Sequence, residues 1–456
     1  MSRRIFALAA IAGLASVLAA PAAQAIPAFA RQTGQNCNAC HVSFPELTPY
    51  GRYFKLSGYT LGKPLLEYPE NLPLAVMAQF GVTDTRNNTY SDGSKVDPHN
   101  GEARLQMASV FLGGKVNDHL GGFVQWTASY NGSGYDFGAD NTDIRLVNTR
   151  VAPGGQEPDL IYGLTVNNNP TSQDVWNSTP AWQFPYSTSA TAITGFANSS
   201  MIDGGTDPAG NDLHTGAVGF GGYVFWKQTI YAELSLYRTD NGLFSVFDLG
   251  NDPDSTMRPY IKGYAPYWRL AYNKQWGPSS IEVGTFGMLT DRYADGSDGG
   301  PTDRYKDIGL DAQYQYITDV NTWTAQTSYI HENQDWNLSG PANLGLTSNP
   351  NGNLNTFRIK GSYWYRHKYG ATLGYFASNG SEDATLYGGA GSLNNKPDTS
   401  GYILEADYMP WDYVRVMLQY TAYNKYLGGS TYTDPGGGLR NASDNNSVFL
   451  NLWVAY

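Results

Sequence analysis

Apolar and polar residues alternate strictly along this chain from residue 74 onward, and this pattern limits the possible folds more than any other feature. Residues 307–316, for example, read Asp-Ile-Gly-Leu-Asp-Ala-Gln-Tyr-Gln-Tyr, and the segments 230–237 and 413–420 repeat the alternation. Successive side chains of a β-strand point to opposite faces, so each such segment has one apolar and one polar face. The sequence therefore predicts a sheet that separates hydrocarbon from water.

The connections between these segments alternate between short turns and long polar stretches, which is typical of a barrel that spans the outer membrane. We predict about sixteen antiparallel strands, an even number that places both ends of the barrel and the C-terminus on the periplasmic side. The predicted strands are 74–84, 102–116, 119–130, 142–150, 159–166, 215–226, 229–239, 263–275, 279–290, 303–318, 321–334, 354–367, 369–379, 400–408, 412–425 and 446–456.

Composition and the chain start agree with an exported, mainly β protein. Only 15% of residues are charged, and 52 glycines and 34 tyrosines fit many strands joined by tight turns. Residues 1–25 resemble a cleaved signal peptide, with Arg3 and Arg4 before an apolar run and Ala23-Gln24-Ala25 as a cleavage site. We expect the outer membrane of a Gram-negative bacterium and contact with its lipid. The net charge of -11 argues against nucleic acid as a partner.

The two cysteines of the chain lie in the sequence Cys37-Asn38-Ala39-Cys40-His41, which is the attachment signature of a c-type haem. We predict one covalently attached haem c, held by Cys37 and Cys40, with His41 as the proximal ligand of the haem iron. Three alternatives compete. A zinc site normally has more ligands, a redox pair would sit in a strand-helix-strand unit, and a disulfide would close a very small loop.

The haem motif lies in a segment, residues 26–71, that is too short to bury a core of its own. We therefore predict a short helical segment that docks in or against the periplasmic mouth of a barrel formed by residues 72–456. The sixth ligand is not evident, and Met77 and Met107 on early strands are weak candidates. Arg31, Arg52 and Lys55 are open to three roles: pairing with haem propionates, contact with the lumen, or exposure to solvent.

A second unusual segment, residues 167–214, has no Lys or Arg but carries several Trp, Phe and Tyr residues. So many aromatic residues in one connection favour packing over a free loop. We expect this segment to fold into the lumen or over the outer mouth, although a packed surface loop without a functional role fits equally well.

Several runs in the chain resemble the fused monohaem cytochrome-porins of iron-oxidising bacteria. These runs are Pro27–Gly34, Phe44–Leu47, Tyr50–Lys55, Tyr162–Thr171 and Trp176–Trp182. The resemblance implies electron transfer across the outer membrane, from extracellular Fe(II) or another reduced donor to a periplasmic electron-carrier cytochrome. It also implies an Fe(II):cytochrome c oxidoreductase type of activity. Two other functions stay open: a diffusion porin gated or plugged by the haem-binding segment, and a haem-based sensor with an open axial site.

Overall fold

The protein is described by a computed structural model that covers residues 28–64, 73–213, 216–241, 244–245, 247 and 260–456. The predicted signal peptide, residues 1–25, lies outside the described residues. Within these ranges sixteen strands, β1 to β16, form one antiparallel barrel in which each strand pairs with its neighbours along the chain, and a two-residue strand, Tyr260–Ile261, adds to the end of β9. The barrel closes because β16 pairs with β1, with Val454 opposite Ala78. The predicted fold class and strand number are confirmed.

The strand bounds follow the chain order β1 to β16. They are Leu74–Thr85, Ala103–Lys115, Leu120–Tyr130, Tyr135–Val151, Pro158–Asn168, Ala217–Trp226, Ile230–Thr239, Ala265–Trp276, Ser279–Tyr293, Asp303–Ile317, Asn321–Trp336, Asn351–Tyr365, Tyr369–Gly380, Thr399–Trp411, Val414–Lys425 and Ser447–Ala455. Short turns join β2–β3, β4–β5, β6–β7, β8–β9, β10–β11, β12–β13 and β14–β15, so they share one end of the barrel with β1's start and β16's end. We call this end the short-turn end.

One predicted long loop, residues 131–141, is wrong. The connection is a tight turn of four residues, and residues 135–141 extend β4. The Asn131 side chain accepts hydrogen bonds from the backbone N–H groups of Ser133 (3.0 Å) and Gly134 (2.8 Å), which closes the turn. The polar residues of the turn concealed the start of β4, although the exposed aromatic residues Tyr135 and Phe137 alternate there with Asp136 and Gly138.

The outer surface of the barrel carries the apolar face of the alternation. Leu164, Leu234, Leu310 and Leu373 are each more than half exposed in the middle of their strands. Large aromatic side chains, including Trp226, Trp276, Tyr369 and Trp411, are exposed near the short-turn end. An apolar band flanked by aromatic residues is the lipid-facing surface of an outer-membrane barrel.

Three short helices precede the barrel: α1 (Ala28–Thr33), α2 (Cys37–Cys40) and α3 (Pro49–Leu56). Between α2 and α3 the strands His41–Ser43 and Glu46–Leu47 form a small hairpin, which we call the N-terminal hairpin. A further hairpin, Thr431–Thr433 with Leu439–Asn441, stands in the connection between β15 and β16, at the opposite end of the barrel. Among the described residues, no helix is both long and apolar enough to cross a bilayer.

Candidate functional site

The Cys-x-x-Cys-His motif forms a single helical turn followed by the first strand of the N-terminal hairpin. Helix α2 contains both cysteines, and His41 caps its C-terminus with its backbone N–H bonded to the Cys37 carbonyl. Residues three apart lie on the same side of a helix, so the two thiols share one face. Both cysteines are free thiols and partly exposed. This is the local geometry that thioether attachment to two haem vinyl groups requires.

The His41 ring is oriented by a backbone carbonyl. Its Nδ1 lies 3.2 Å from the carbonyl oxygen of Pro45, and since a carbonyl can only accept, Nδ1 carries the proton. This leaves the lone pair of Nε2 free, which is the usual arrangement of an imidazole that binds a metal. Burial lowers the pKa of His41 to about 4, so the ring is neutral near pH 7.

Two of the alternatives to haem, a redox-active cysteine pair and a zinc site, gain no support from the described residues. Burial raises the pKa of both thiols to about 11, with Asp412 a further cause at Cys37, so neither is a ready thiolate. Within the described ranges, no group of three or more His, Cys, Asp or Glu side chains is arranged to hold a metal ion.

Helix α3 packs directly on α2. The Cα of Gly51 approaches the Cys40 carbonyl so closely that an added Cβ would overlap the carbonyl oxygen. The Thr48 hydroxyl donates to the Ala39 carbonyl (2.6 Å) and accepts from the Gly51 N–H (3.2 Å). The Thr48 side chain thus caps α3 and ties it to the haem motif in one contact.

Two cations of α3 bind the interior of the barrel. The guanidinium of Arg52 donates to Gln313 (2.9 Å) and Gln315 (2.6 Å) on β10, and to Ser280 (3.0 Å) on β9. Lys55 Nζ donates to two carbonyl oxygens of the connection between β5 and β6 (2.7 and 2.8 Å). Of the three roles considered for Arg52 and Lys55, the structure shows contact with groups inside the lumen.

The N-terminal hairpin is bound to further strands of the wall. Lys360 on β12 forms an ion pair with Glu46, and Arg415 on β15 donates to the Phe44 carbonyl (2.9 Å). Val42 packs in one apolar cluster with Trp364 and Met409, which lie near the short-turn end. Helix α3 and the hairpin therefore span the lumen at its short-turn end, as the sequence predicts for the haem segment.

The long β5–β6 connection folds into the lumen above this segment. We call residues 169–213 the inward loop. Asp174 organises it by accepting from the backbone N–H groups of Trp176, Ser178 and Thr179 (3.0 to 3.1 Å), and its carboxylate pairs with Arg269 on β8 (3.3 Å). The predicted location in the lumen is confirmed.

The inward loop and the N-terminal segment together occlude the lumen. Four arginines point inward from the wall and are at most 2% exposed: Arg145, Arg269, Arg292 and Arg415. An open aqueous channel would hydrate such side chains, whereas here protein groups surround them. A cavity of about 210 Å³ remains between the inward loop and the wall, and its lining includes Phe184, Arg358 and Phe376.

The candidate sixth ligands lie on the lumen face of early strands. Met77 lies on β1 opposite Ala455, near the short-turn end. Met107 lies on β2, and its sulfur accepts from the Gln79 side-chain amide (3.2 Å). Neither methionine is linked to His41 by these contacts, so both stay weak predictions.

The wall residues that hold the hairpin were not predicted from the sequence. Lys360 and Arg415 lie on the polar face of strands that otherwise follow the alternation of apolar and polar residues. Because a charge on the polar face of a strand normally contacts water, the pattern alone gave no reason to select them. Their partners, Glu46 and Phe44, are more than 300 residues away in the chain.

No family model and no curated protein matches the chain. Among solved structures, the chain is similar to the anion-selective porin from Comamonas acidovorans (TM-score 0.46, 13% identity, 84% of this chain and 98% of that chain). It is also similar to Salmonella typhi OmpF in complex with daunomycin (0.46, 12%, 84% and 97%) and to a loop L8 deletion mutant of Vibrio cholerae OmpT (0.44, 12%, 84% and 98%). At this low sequence identity, the similarity does not indicate which solute or function the barrel serves. The architecture itself is that of a porin-like barrel of the Gram-negative outer membrane, with lipid around its apolar belt.

Proposed function

We propose that this protein transfers electrons across the outer membrane through a c-type haem attached to Cys37 and Cys40, with His41 as proximal ligand. Extracellular Fe(II) is the proposed donor and a periplasmic cytochrome the proposed acceptor, as the family resemblance implies. The observation that carries the proposal is the Cys-x-x-Cys-His turn, which is anchored inside an otherwise occluded barrel at the short-turn end.

When bound, the haem supplies one-electron redox chemistry at its iron. The protein's own residues hold and shield that centre. The Pro45 carbonyl fixes the His41 tautomer, and α3 braces the helical turn through Gly51 and Thr48. Arg52, Lys360 and Arg415 anchor the segment to three parts of the wall. A one-turn helix by itself could not keep a large cofactor at a fixed position.

The occluded lumen favours electron transfer over solute diffusion. A diffusion porin needs a continuous aqueous path, and a gated one needs a plug that releases readily. Here buried, hydrogen-bonded cations join the N-terminal segment and the inward loop, which together form the plug, to the wall of the barrel. Each such contact is costly to break. Electrons need no open path, so a filled barrel suits a redox conduit.

The direct test is anaerobic stopped-flow absorbance of the purified, haem-loaded protein mixed with Fe(II). We expect the reduced c-type bands to appear rapidly, and we expect His41→Ala and Cys37→Ser to abolish this reduction. The matched control is His119→Ala, because the His119 Nδ1 also lies against a backbone carbonyl (3.1 Å) but outside the motif. This control should behave as wild type.

A planar-bilayer measurement separates the alternative functions. The proposed conduit should show little ion conductance. Conductance typical of an open pore, together with no reduction by Fe(II), would overturn the proposal in favour of a diffusion porin. Rapid CO binding without turnover by Fe(II) would instead favour a haem-based sensor.

A further inference from the structure

The N-terminal hairpin touches one aromatic residue of the inward loop through a buried carboxylate. The Tyr186 hydroxyl lies within hydrogen-bond distance of Glu46 Oε2 (2.9 Å) and of the Gln326 side-chain oxygen (3.0 Å), and the Lys360 ammonium pairs with the same carboxylate. Burial by itself raises the pKa of Glu46, but Lys360 and the hydrogen bonds outweigh it and hold that pKa below its ordinary value. Tyr186 therefore has an ionised proton acceptor on the hairpin that begins with His41.

Aromatic contacts continue from Tyr186 toward the opposite end of the barrel. The rings of Phe184 and Tyr186 meet edge to face with centroids 5.7 Å apart. The Phe184 ring lies close to Gly374 of β13, where an added Cβ would stand 2.7 Å from the ring. Phe376, two residues further along the same face of β13, belongs to the same apolar cluster and lines the same cavity.

Three tyrosines extend this series to the outer connections. The centroid of Phe376 lies 5.6 Å from that of Tyr423 on β15, and Tyr423 lies 5.6 Å from Tyr426. Tyr426 in turn lies 5.0 Å from Tyr432, in the hairpin between β15 and β16. We call this series the aromatic file: Tyr432, Tyr426, Tyr423, Phe376, Phe184 and Tyr186.

We propose that the aromatic file carries electrons from the outer face of the barrel to the N-terminal hairpin, with Tyr186 as its final relay. This inference rests on the proposed function and specifies its route. Each transfer removes one electron from the outer donor, delivers it to the haem held on the hairpin, and leaves the aromatic residues unchanged. In this scheme Tyr186 would give one electron to the oxidised haem while its phenolic proton moves to Glu46, and Tyr186 would regain both when the next electron arrives from the file.

Two features distinguish Tyr186 from other tyrosines of the file. Tyr423 and Tyr432 donate to neutral oxygens, of Gly195 (3.0 Å) and Asn445 (3.0 Å), so they lack a basic proton acceptor. Tyr186 alone among these three donates to a carboxylate, and that carboxylate belongs to the hairpin. Proton loss to a positioned base is what makes oxidation of a buried phenol accessible.

The opposite wall supplies a matched control. The Tyr231 hydroxyl donates to the buried carboxylate of Glu233 (2.7 Å), as Tyr186 does to Glu46. Tyr231 contacts Trp176 and Tyr223, and the Tyr223 hydroxyl bonds to Leu56 at the end of α3, away from the His41 hairpin. Tyr231→Phe therefore removes the same chemical group from a comparable site that lies outside the file.

The first experiment compares haem reduction by Fe(II) in proteoliposomes that expose only the outer face. We expect Tyr186→Phe and Phe184→Leu to slow reduction by roughly tenfold or more, about 1.4 kcal/mol of barrier. Tyr231→Phe should match wild type, and all variants should keep the wild-type haem spectrum and potential. Equal rates in Tyr186→Phe and Tyr231→Phe would overturn the route.

The second experiment needs no haem. In the full chain with Cys37→Ser and Cys40→Ser, a ruthenium photosensitiser is attached through Leu439→Cys, a 74% exposed position paired with Thr433 in the outer hairpin. After flash oxidation, electron paramagnetic resonance should detect a tyrosyl radical that Tyr186→Phe removes and Tyr231→Phe retains. A radical that persists in Tyr186→Phe would refute the relay.

The two experiments separate failure of the route from failure of the function. If Fe(II) does not reduce the wild type but the radical still forms at Tyr186, the file conducts and the donor assignment is wrong. If Fe(II) reduces all variants equally, electron transfer stands and the route is wrong.

Discussion

Arg52 provides the sharpest test of whether the N-terminal segment is held in the lumen by specific contacts. The substitution Arg52→Met keeps most of the side-chain volume but removes the guanidinium that bonds to Gln313, Gln315 and Ser280. Hydrogen bonds to a charged group contribute about 2 kcal/mol each, so these three bonds favour docking by roughly 6 kcal/mol.

Burying the charge offsets part of this gain. Desolvation lowers the pKa of Arg52 to about 10, although Glu282, Glu46 and Asp174 act in the opposite direction. That shift from the ordinary value corresponds to about 3 kcal/mol. The net loss expected for Arg52→Met is therefore about 3 kcal/mol, or roughly a hundredfold shift toward the undocked segment.

The assay is single-channel conductance in a planar bilayer, with limited proteolysis of the N-terminal segment in parallel. Arg52→Met should show frequent openings and faster cleavage than wild type, and Arg52→Lys should be intermediate because it keeps the charge but loses the planar fork. Arg150→Met is the control, since Arg150 is exposed and pairs with Asp159 outside the lumen. If Arg52→Met stays closed and protected, the docking contacts do not seal the barrel.

Three further predictions follow from the same structure. Burial lowers the pKa of Lys55 in the folded protein to about 8, from 10.5 in the unfolded chain. Between these two pH values the unfolded chain binds more protons than the folded protein, so the free energy of unfolding should rise from pH 8 to about 10.5 by up to about 3 kcal/mol. Thermal unfolding measures this rise, which should vanish in Lys55→Met. Gly51→Ala should cost about 1–3 kcal/mol and reduce haem incorporation, measured by in-gel haem staining, because its methyl group meets the Cys40 carbonyl; normal incorporation would contradict this. Leu310→Arg on the lipid face should cost about 2–4 kcal/mol in denaturant titrations of the bilayer-inserted barrel, whereas Leu439→Arg in the outer hairpin should cost almost nothing; equal costs would refute the lipid assignment.

The barrel was predictable because the alternation within each strand indicates which of its faces contacts lipid. In β10, the exposed residues Ile308 and Leu310 and the buried Asp307 and Asp311 follow the alternation read from the sequence. The alternation in the last strand and the even number of strands were enough to predict that the barrel closes, as the pairing of β16 with β1 shows. The error at residues 131–141 arose because the polar turn at 131–134 suggested a loop, although the exposed Tyr135 and Phe137 alternate with Asp136 and Gly138.

The contents of the lumen could not be predicted in the same way, because alternation separates an inner from an outer face but is silent about what the inner face contacts. Glu46, Arg52 and Lys55 look like ordinary surface charges in the sequence, yet all three are buried against the wall. Arg52 and Gln313 are 261 residues apart, and no local pattern links them. The short length of the N-terminal segment was the informative signal, since it required walls that only the barrel could provide.

The charges that hold the plug also constrain how the protein can work. Each lumen-facing arginine and lysine is matched by a carboxylate or by carbonyl oxygens, as in Lys360 with Glu46 and Arg269 with Asp174. Moving the N-terminal segment or the inward loop would break such pairs and the hydrogen bonds around them, and each hydrogen bond to a charged group contributes about 1.5–3 kcal/mol. A solute cannot repay that cost on each passage, whereas an electron passes without moving any of these groups. The same pairs that make the barrel a poor channel therefore make it a rigid support for electron transfer.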